Sequence, residues 1–288
     1  MANIVYCILA HKEPEQICRL INRLQTPNDR IHVHFDTSIG KERFADWERL
    51  IERNCKDGNF KVVSEFQCKW GSFGIIDAML SAMKRYEKVD YDYFINLSGE
   101  CYPLRAPKII KKELDDRKCA FIEVFKMPLL GWRPDGGMER LQKRWYILKT
   151  MKYPHAEFYS IPRLRKELPN KLTPYGGSAW FCLPKAVVSY IISFLEKNSS
   201  LRNYFRRVLI PDEIMFQTIL MNSPFKSSTD NDNKRYIDWN GGGSRHPRIL
   251  RITDFEKMKN SGKLFARKFD YNVDREILDR IDKEIEAN

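Results

Sequence analysis

Residues 4–36, IVYCILAHKEPEQICRLINRLQTPNDRIHVHFD, decide the fold. Ile4–Ala10 is a short apolar run without alternation, as expected of a strand covered on both faces. Residues 15–24 carry apolar side chains at helical spacing, and Arg30–Phe35 is a second strand that ends at Asp36. The pattern then repeats. A helix is expected over 42–54, a strand over 59–64, a helix over 73–86 with Ile75, Ile76, Met79, Leu80 and Met83 apolar, a strand over 93–97 and a helix over 106–114. This order implies an α/β fold with a Rossmann-type, mostly parallel sheet flanked by helices and right-handed crossovers. Ligands in such sheets sit beyond the C-terminal strand ends. The second half is less regular. It reads as strands over 119–125, 178–183 and 248–252, helices over 139–149, 185–195, 212–221 and 273–286, and a Gly-, Pro- and aromatic-rich loop over 127–137. Without a repeat or an obvious linker, residues 1–288 read as one domain.

The composition excludes several classes. With 288 residues, 43% hydrophobic, 31% charged, 14 Gly and 14 Pro, the chain is neither collagen-like nor disordered. A domain of this size buries roughly 75% of its unfolded surface without a staple. The longest nearly apolar stretch, 186–195, is about half a membrane span. The opening MANIVYCILAHKEPEQ lacks a basic n-region and a cleavage site, so it reads as a buried strand and not a signal peptide. Seven scattered cysteines without a CxxC argue against a disulfide framework or a zinc site and fit reduced thiols in the cytoplasm. The net charge is 50 − 38 = +12, and residues 133–171 supply half of it, with ten Lys/Arg against four Asp/Glu. Such a surface favours polyanions, among them nucleotide diphosphates, anionic lipid and nucleic acid, although a solvated basic face explains it equally well.

No GxGxxG, Walker A, GxSxG or HExxH motif is present, which removes the dehydrogenase, P-loop kinase, serine hydrolase and zincin readings. His32 and His34 share a strand face, and two histidines without a third ligand more often pack than bind metal. Asp90-Tyr91-Asp92 has the form of a metal-holding Asp-x-Asp, but it precedes its strand. The segment after that strand, Ser98 to Pro103, holds one acid, Glu100. Asp230-Asn231-Asp232 reads as turn chemistry. No metal is expected.

Six segments occur in order: ILAHK (8–12), HFD (34–36), WGSFGIIDA (70–78), FINLSGECYPL (94–104), GSAWF (177–181) with IPDEIMFQTI (210–219), and LFARKFD (264–270). Together they resemble the core-2/I-branching enzyme family, glycosyltransferase family 14, which includes β-1,6-N-acetylglucosaminyltransferases and peptide O-xylosyltransferases. The resemblance implies a GT-A-like fold, a UDP-sugar donor, inversion at the anomeric carbon and no required metal. It divides the domain into a nucleotide-sugar half, 1–115, and an acceptor and catalytic half, 116–288. It implies that Glu213 is the general base, with Asp212 as a helix cap. Lys268 and an upstream Arg would hold the diphosphate; an ungapped match gives Arg245 and a His-x-Arg match gives Arg248, which is preferred. Ala10, Asp36 and Trp70 match nucleotide-sugar positions, and acceptor binding falls to Glu123, Arg140 and Trp239. Gly241 to Ser244 could bring backbone N–H groups to a phosphate or form a plain turn. The chain departs from the family at Glu100-Cys101, where members often carry Asp before the aromatic-Pro pair.

The residues agree with this chemistry. Inverting transfer needs one base on the acceptor hydroxyl and a means of stabilising the leaving UDP. Asp212-Glu213 alone would read as acids of a first helical turn. The partners implied are a UDP-sugar, carrying GlcNAc or xylose, and a glycan acceptor of the lipid-linked kind. A bacterial-type, cytoplasmic member touching the anionic inner membrane face through 133–171 is expected. Two other readings stand: a nucleic-acid- or polyanion-binding protein, against which the cations form no known reading motif, and a relative that binds UDP-sugar without turning it over.

Overall fold

The computed structural model describes residues 1–55, 58–132, 135–150, 156–162, 167–240 and 247–287. In chain order these form β1 (Ile4–Ala10), α1 (Pro14–Leu24), β2 (Arg30–Phe35), α2 (Lys41–Asn54), β3 (Phe60–Val63), α3 (Gly74–Arg85), β4 (Tyr93–Ser98), β5 (Cys101–Pro103), α4 (Pro107–Arg117) and β6 (Ala120–Lys126). There follow α5 (Glu139–Gln142), β7 (Lys143–Thr150), β8 (Ala156–Pro162), β9 (Tyr175–Pro184), α6 (Lys185–Lys197), α7 (Ser199–Phe205), α8 (Met215–Met221), β10 (Thr229–Asp230), β11 (Arg235–Ile237), α9 (Phe255–Lys259), β12 (Phe265–Arg267) and α10 (Glu276–Ala287). The chain is mixed α/β, and it divides into two compact units that interleave along the sequence. Unit 1 is Met1–Ser64, Asp90–Lys118 and Lys234–Asn288; unit 2 is Glu65–Val89 and Cys119–Asn233.

Unit 1 holds the parallel sheet. β1 pairs with β4 on one side and β2 on the other, and β2 pairs with β3, all parallel. β1 takes the middle because Ile4, Val5, Tyr6, Cys7 and Ile8 are fully buried and no polar side chain interrupts them. Burying each large apolar side chain is worth about 1.5–3 kcal/mol. α1 starts on Pro14, whose missing N–H costs nothing in a first turn, and buries Ile17, Leu20, Ile21 and Leu24. A second sheet pairs β12 antiparallel with β5 and parallel with β11. α10 is tied to α1 by ion pairs: Arg19 to Asp279 (2.7 Å) and Asp282 (2.8 Å), and Arg23 to Asp282 (2.8 Å).

In unit 2, β6 pairs antiparallel with β9 and parallel with β10, and β7 pairs antiparallel with β8. α6 buries Val187, Val188, Ile191, Ile192 and Leu195. A 3₁₀ turn, Pro211–Glu213, leads into α8.

Two sequence expectations fail. Residues 139–149 are helical only to Gln142; from Lys143 the aromatic and β-branched run pairs as β7. There strand pairing overrides the helical spacing of the charges. Residues 248–252 form no strand. Arg248 N donates to the Asp238 carbonyl at 2.9 Å and Leu250 N to the Lys268 carbonyl at 2.8 Å, isolated bonds to two different segments, and the chain turns at Ile252–Asp254.

Candidate active site

One cluster of charges lies in unit 1 beyond the C-terminal ends of β1 and β4, where parallel sheets receive ligands. Lys12, just after β1, places Nζ 3.0 Å from Glu100 and 2.7 Å from Asp270. Lys268, just after β12, reaches the other Glu100 oxygen at 3.1 Å. Two lysines therefore grip one buried carboxylate, and Asp270 completes the set. Backbone and packing hold these groups in place. Phe269 N donates to the Glu100 carbonyl at 2.9 Å. The buried Gln16 donates to the Gly99 carbonyl at 2.6 Å and accepts from Tyr271 N at 2.8 Å. At Gly99 a Cβ would come within 2.5 Å of Ile17 Cδ1, so glycine lets α1 close on the end of β4. Glu13, between Lys12 and Pro14, takes a left-handed φ of 53°, a conformation that costs a non-glycine residue about 1 kcal/mol or more.

The electrostatics follow the geometry. Burial pushes the Glu100 carboxyl up, but Lys268 and Lys12 outweigh it and hold it below the ordinary value. Burial works against a charged Lys12, but the Asp270 hydrogen bond and the Glu100 charge raise its pKa. Burial lowers His11, which lines the same small cavity as Lys12, Gln16 and Glu100.

Of the sequence-named donor residues, Ala10 and Asp36 lie side by side in unit 1, with Asp36 N donating to the Ala10 carbonyl at 2.9 Å. Asp36 also accepts from Ser38 N at 2.7 Å. Lys268 joins the cluster above. Arg248 lies in the same unit with its guanidinium taken by two carboxylates, Asp238 at 2.8 Å and Asp254, the latter through both of its oxygens. Trp70 belongs to unit 2. Arg245 and the run Gly241 to Ser244 lie outside the described residues. The basic stretch 133–171 is only partly described, so the anionic-membrane contact drawn from it stays an expectation.

Unit 2 carries the second cluster. Glu213 ends the 3₁₀ turn, and its Oε2 accepts from the buried Arg140 at 2.7 Å. Oε1 has no hydrogen-bond partner among the described residues. The Arg140 guanidinium lies 4.3 Å from the centre of the Trp132 ring, and that ring meets Phe125 edge-on at 4.7 Å. Gly137, with φ 84°, makes room for it, since a Cβ there would lie 2.3 Å from the indole. Asp212 is buried and its Oδ1 has no partner among the described residues. Burial, with the charge of Glu213, pushes its pKa up to about 7. The cap expected of it is absent, as no side-chain hydrogen bond closes this helix end. Ile210, before Pro211, is left-handed at φ 52°. Glu123 stands at an irregularity of register between Ile122 and Val124, exposed, accepting from Asn233 at 3.0 Å. Bulges of this kind re-aim a side chain. Trp239 lies in unit 1 and is 58% exposed. Structure thus joins Arg140 to Glu213 directly.

Asp92 accepts from Asn3 N at 2.7 Å, at the N-terminal end of β4, so the Asp-x-Asp lies away from the ligand end of the sheet. His32 and His34 are buried inside the sheet. Among the described residues no three His, Cys, Asp or Glu side chains gather as metal ligands, and the described cysteines are all free thiols. A larger cavity of about 260 Å³ in unit 2 is lined by Leu80, Ile192, Leu195, Lys84, Glu196 and Arg202. Its charges already pair, Lys84 with Glu196 and Arg202 with Asp77, and it holds none of the residues above. Lys12, Asp270, Gln16 and Trp132 were not singled out as site residues from the sequence.

Unit 1 thus sets two lysines around the Glu100 carboxylate, and unit 2 sets the Glu213 carboxylate on a buried arginine. The core-2/I-branching enzyme family matches residues 4–260, and the chain belongs to that family. The chain is 26% identical over 279 residues to beta-glucuronosyltransferase GlcAT14A of Arabidopsis thaliana, covering 93% of this chain and 60% of that protein. It is 23% identical over 304 residues to xylosyltransferase 2 of Rattus norvegicus, covering 98% of this chain and 33% of that one. The chain therefore spans less than two thirds of the curated relatives it matches. Among solved structures, apo mouse xyloside xylosyltransferase 1 superposes with a TM-score of 0.43 at 10% identity, over 92% of this chain and 97% of that one.

Proposed function

We propose that the protein is an inverting, metal-independent glycosyltransferase that moves a sugar from a UDP-sugar to a hydroxyl of a glycan acceptor. Family membership and the named relatives support sugar transfer; their names add glucuronic acid to GlcNAc and xylose as candidate donor sugars. The observation that carries the reading is the Glu213 carboxylate, one oxygen fixed by buried Arg140 at 2.7 Å and the other without a partner among the described residues. In this reading Glu213 Oε1 accepts the proton of the acceptor hydroxyl. The hydroxyl oxygen bonds to the anomeric carbon as the bond from that carbon to the β-phosphate oxygen breaks, and the electron pair leaves on UDP. The hydroxyl becomes more acidic as its oxygen bonds to carbon, so its proton passes to the carboxylate in that step. Lys268 neutralises charge on the departing diphosphate. Arg140, read from sequence as an acceptor contact, acts here first by orienting the base.

A panel of UDP-GlcNAc, UDP-xylose and UDP-glucuronic acid, assayed for UDP release with and without EDTA, tests the reading. Turnover of one donor that survives EDTA is expected, with the anomeric configuration of the product reversed by NMR. Retention, or a strict Mn²⁺ requirement, overturns the mechanism; no turnover of any donor leaves a binding protein.

A further inference from the structure

We infer that Lys12 is the second cation of the diphosphate site and that Glu100 is its resident counter-anion, occupying the place of a phosphate until the donor arrives. The inference rests on the reading of unit 1 as the UDP-sugar site. The sequence supplies Lys268 and asks for a partner cation. Arg248 is held by Asp238 and by both oxygens of Asp254, so each of its three nitrogens already donates to a carboxylate. Lys12 differs: it shares one carboxylate with Lys268, at 3.0 Å and 3.1 Å, which sets both ammonium groups around the same small space. It follows β1 directly, at the ligand end of the parallel sheet.

Two ammonium groups around one carboxylate make a site for a two-charge anion that already contains one charge. A diphosphate brings more charge and more acceptor oxygens than a carboxylate, so it outcompetes Glu100 for the lysines. Glu100 meanwhile balances charge on both lysines, neither of which is fully exposed. Asp270 tethers Lys12 from the far side at 2.7 Å. Lys12 is charged at neutral pH, since its carboxylate neighbours raise its pKa. The departure of this chain from its family at Glu100 lies at this place.

The test is calorimetric titration of UDP and of uridine, which lacks the phosphates, into wild type, Lys12→Ala, Lys12→Gln, Lys268→Ala and Glu100→Gln. Lys12→Gln keeps hydrogen-bonding capacity toward Glu100 and Asp270 and guards against loss of folding. Expected is a rise in the UDP Kd of about tenfold to a hundredfold in both Lys12 variants, the usual worth of one charge-assisted contact. Uridine affinity stays unchanged, whereas a merely structural role would weaken both ligands alike. Glu100→Gln tightens UDP severalfold. If Lys268→Ala weakens UDP and neither Lys12 variant does, the inference fails while the donor site stands. If Glu100→Gln weakens UDP as Lys268→Ala does, Glu100 is no placeholder. If wild type does not bind UDP, the donor reading falls and takes this inference with it.

Discussion

The two charged clusters solve opposite problems. In unit 1, Lys12, Lys268, Glu100 and Asp270 form a closed set in which the carboxylates are answered at 2.7–3.1 Å. In unit 2, Arg140 answers Glu213, but Asp212 Oδ1, Gln217 Oε1 and Arg140 Nε are buried without partners among the described residues. A closed set satisfies its own charges and costs little to keep. An open set holds unfavourable polar burial in the resting protein, and this is the expected place for a group that must change its protonation state. Both segments nonetheless begin alike, with a left-handed residue before proline: Glu13-Pro14 and Ile210-Pro211. In unit 1 the charged residue, Lys12, stands just before this turn, and in unit 2 Glu213 stands just after it.

The largest effect should come from the open set. Glu213→Gln keeps shape and most hydrogen bonds but cannot take a proton, so turnover should fall roughly 10²–10⁴-fold with UDP affinity unchanged. Steady-state kinetics beside UDP titration read this, and near-wild-type turnover would remove Glu213 from the mechanism. Asp212 sharpens the contrast through stability. Its folded pKa of about 7 lies above the unfolded value, so the folded state binds its proton more tightly. The stability this contributes is full below about pH 4 and is lost as pH rises toward 7, by up to about 4 kcal/mol. Asp212→Asn should therefore gain in thermal stability over wild type more at pH 8 than at pH 5; equal gains at both pH values would remove the buried acid from the comparison. Smallest is the aromatic support. Trp132→Ala removes the ring under Arg140, and kcat should drop about tenfold with donor KM little changed, since such a contact is worth about 1–2 kcal/mol when desolvated. Trp132→Phe should recover most of that; a drop in KM-linked binding alone would make Trp132 an acceptor contact instead.

Most of the parallel half was legible from its residues, because apolar runs and helical spacing are local signals. Ile4–Ala10 and Arg30–Phe35 form strands over the same residues that were read from the sequence. The short strands β5, β11 and β12 escaped, because three residues carry no period and their pairing is set by partners far along the chain. The same limit hid Lys12. It stands inside the ILAHK segment, but its partner Asp270 is 258 positions away. Trp132 looked like one more aromatic in a loop; only the fold places it under Arg140. Glu213 and Lys268 stood out because their motifs carried a resemblance, not because spacing revealed a role.

The interleaving of unit 1 sets an order on its assembly. β1 and α1 are made first, yet Lys12 is anchored by Asp270, Gln16 by Tyr271 and Arg19 by Asp279 and Asp282. A ribosome-bound chain that has emerged only through β6 carries a sheet whose ligand edge is missing its closing segment. Its lysine and buried glutamine must wait for groups not yet synthesised, exposed to solvent and to chaperones in the meantime. The contacts concerned have very long sequence separation, which slows their formation. The charge set at this edge therefore closes only once residue 270 has been made, and a polypeptide interrupted before it would lack the carboxylate that holds Lys12.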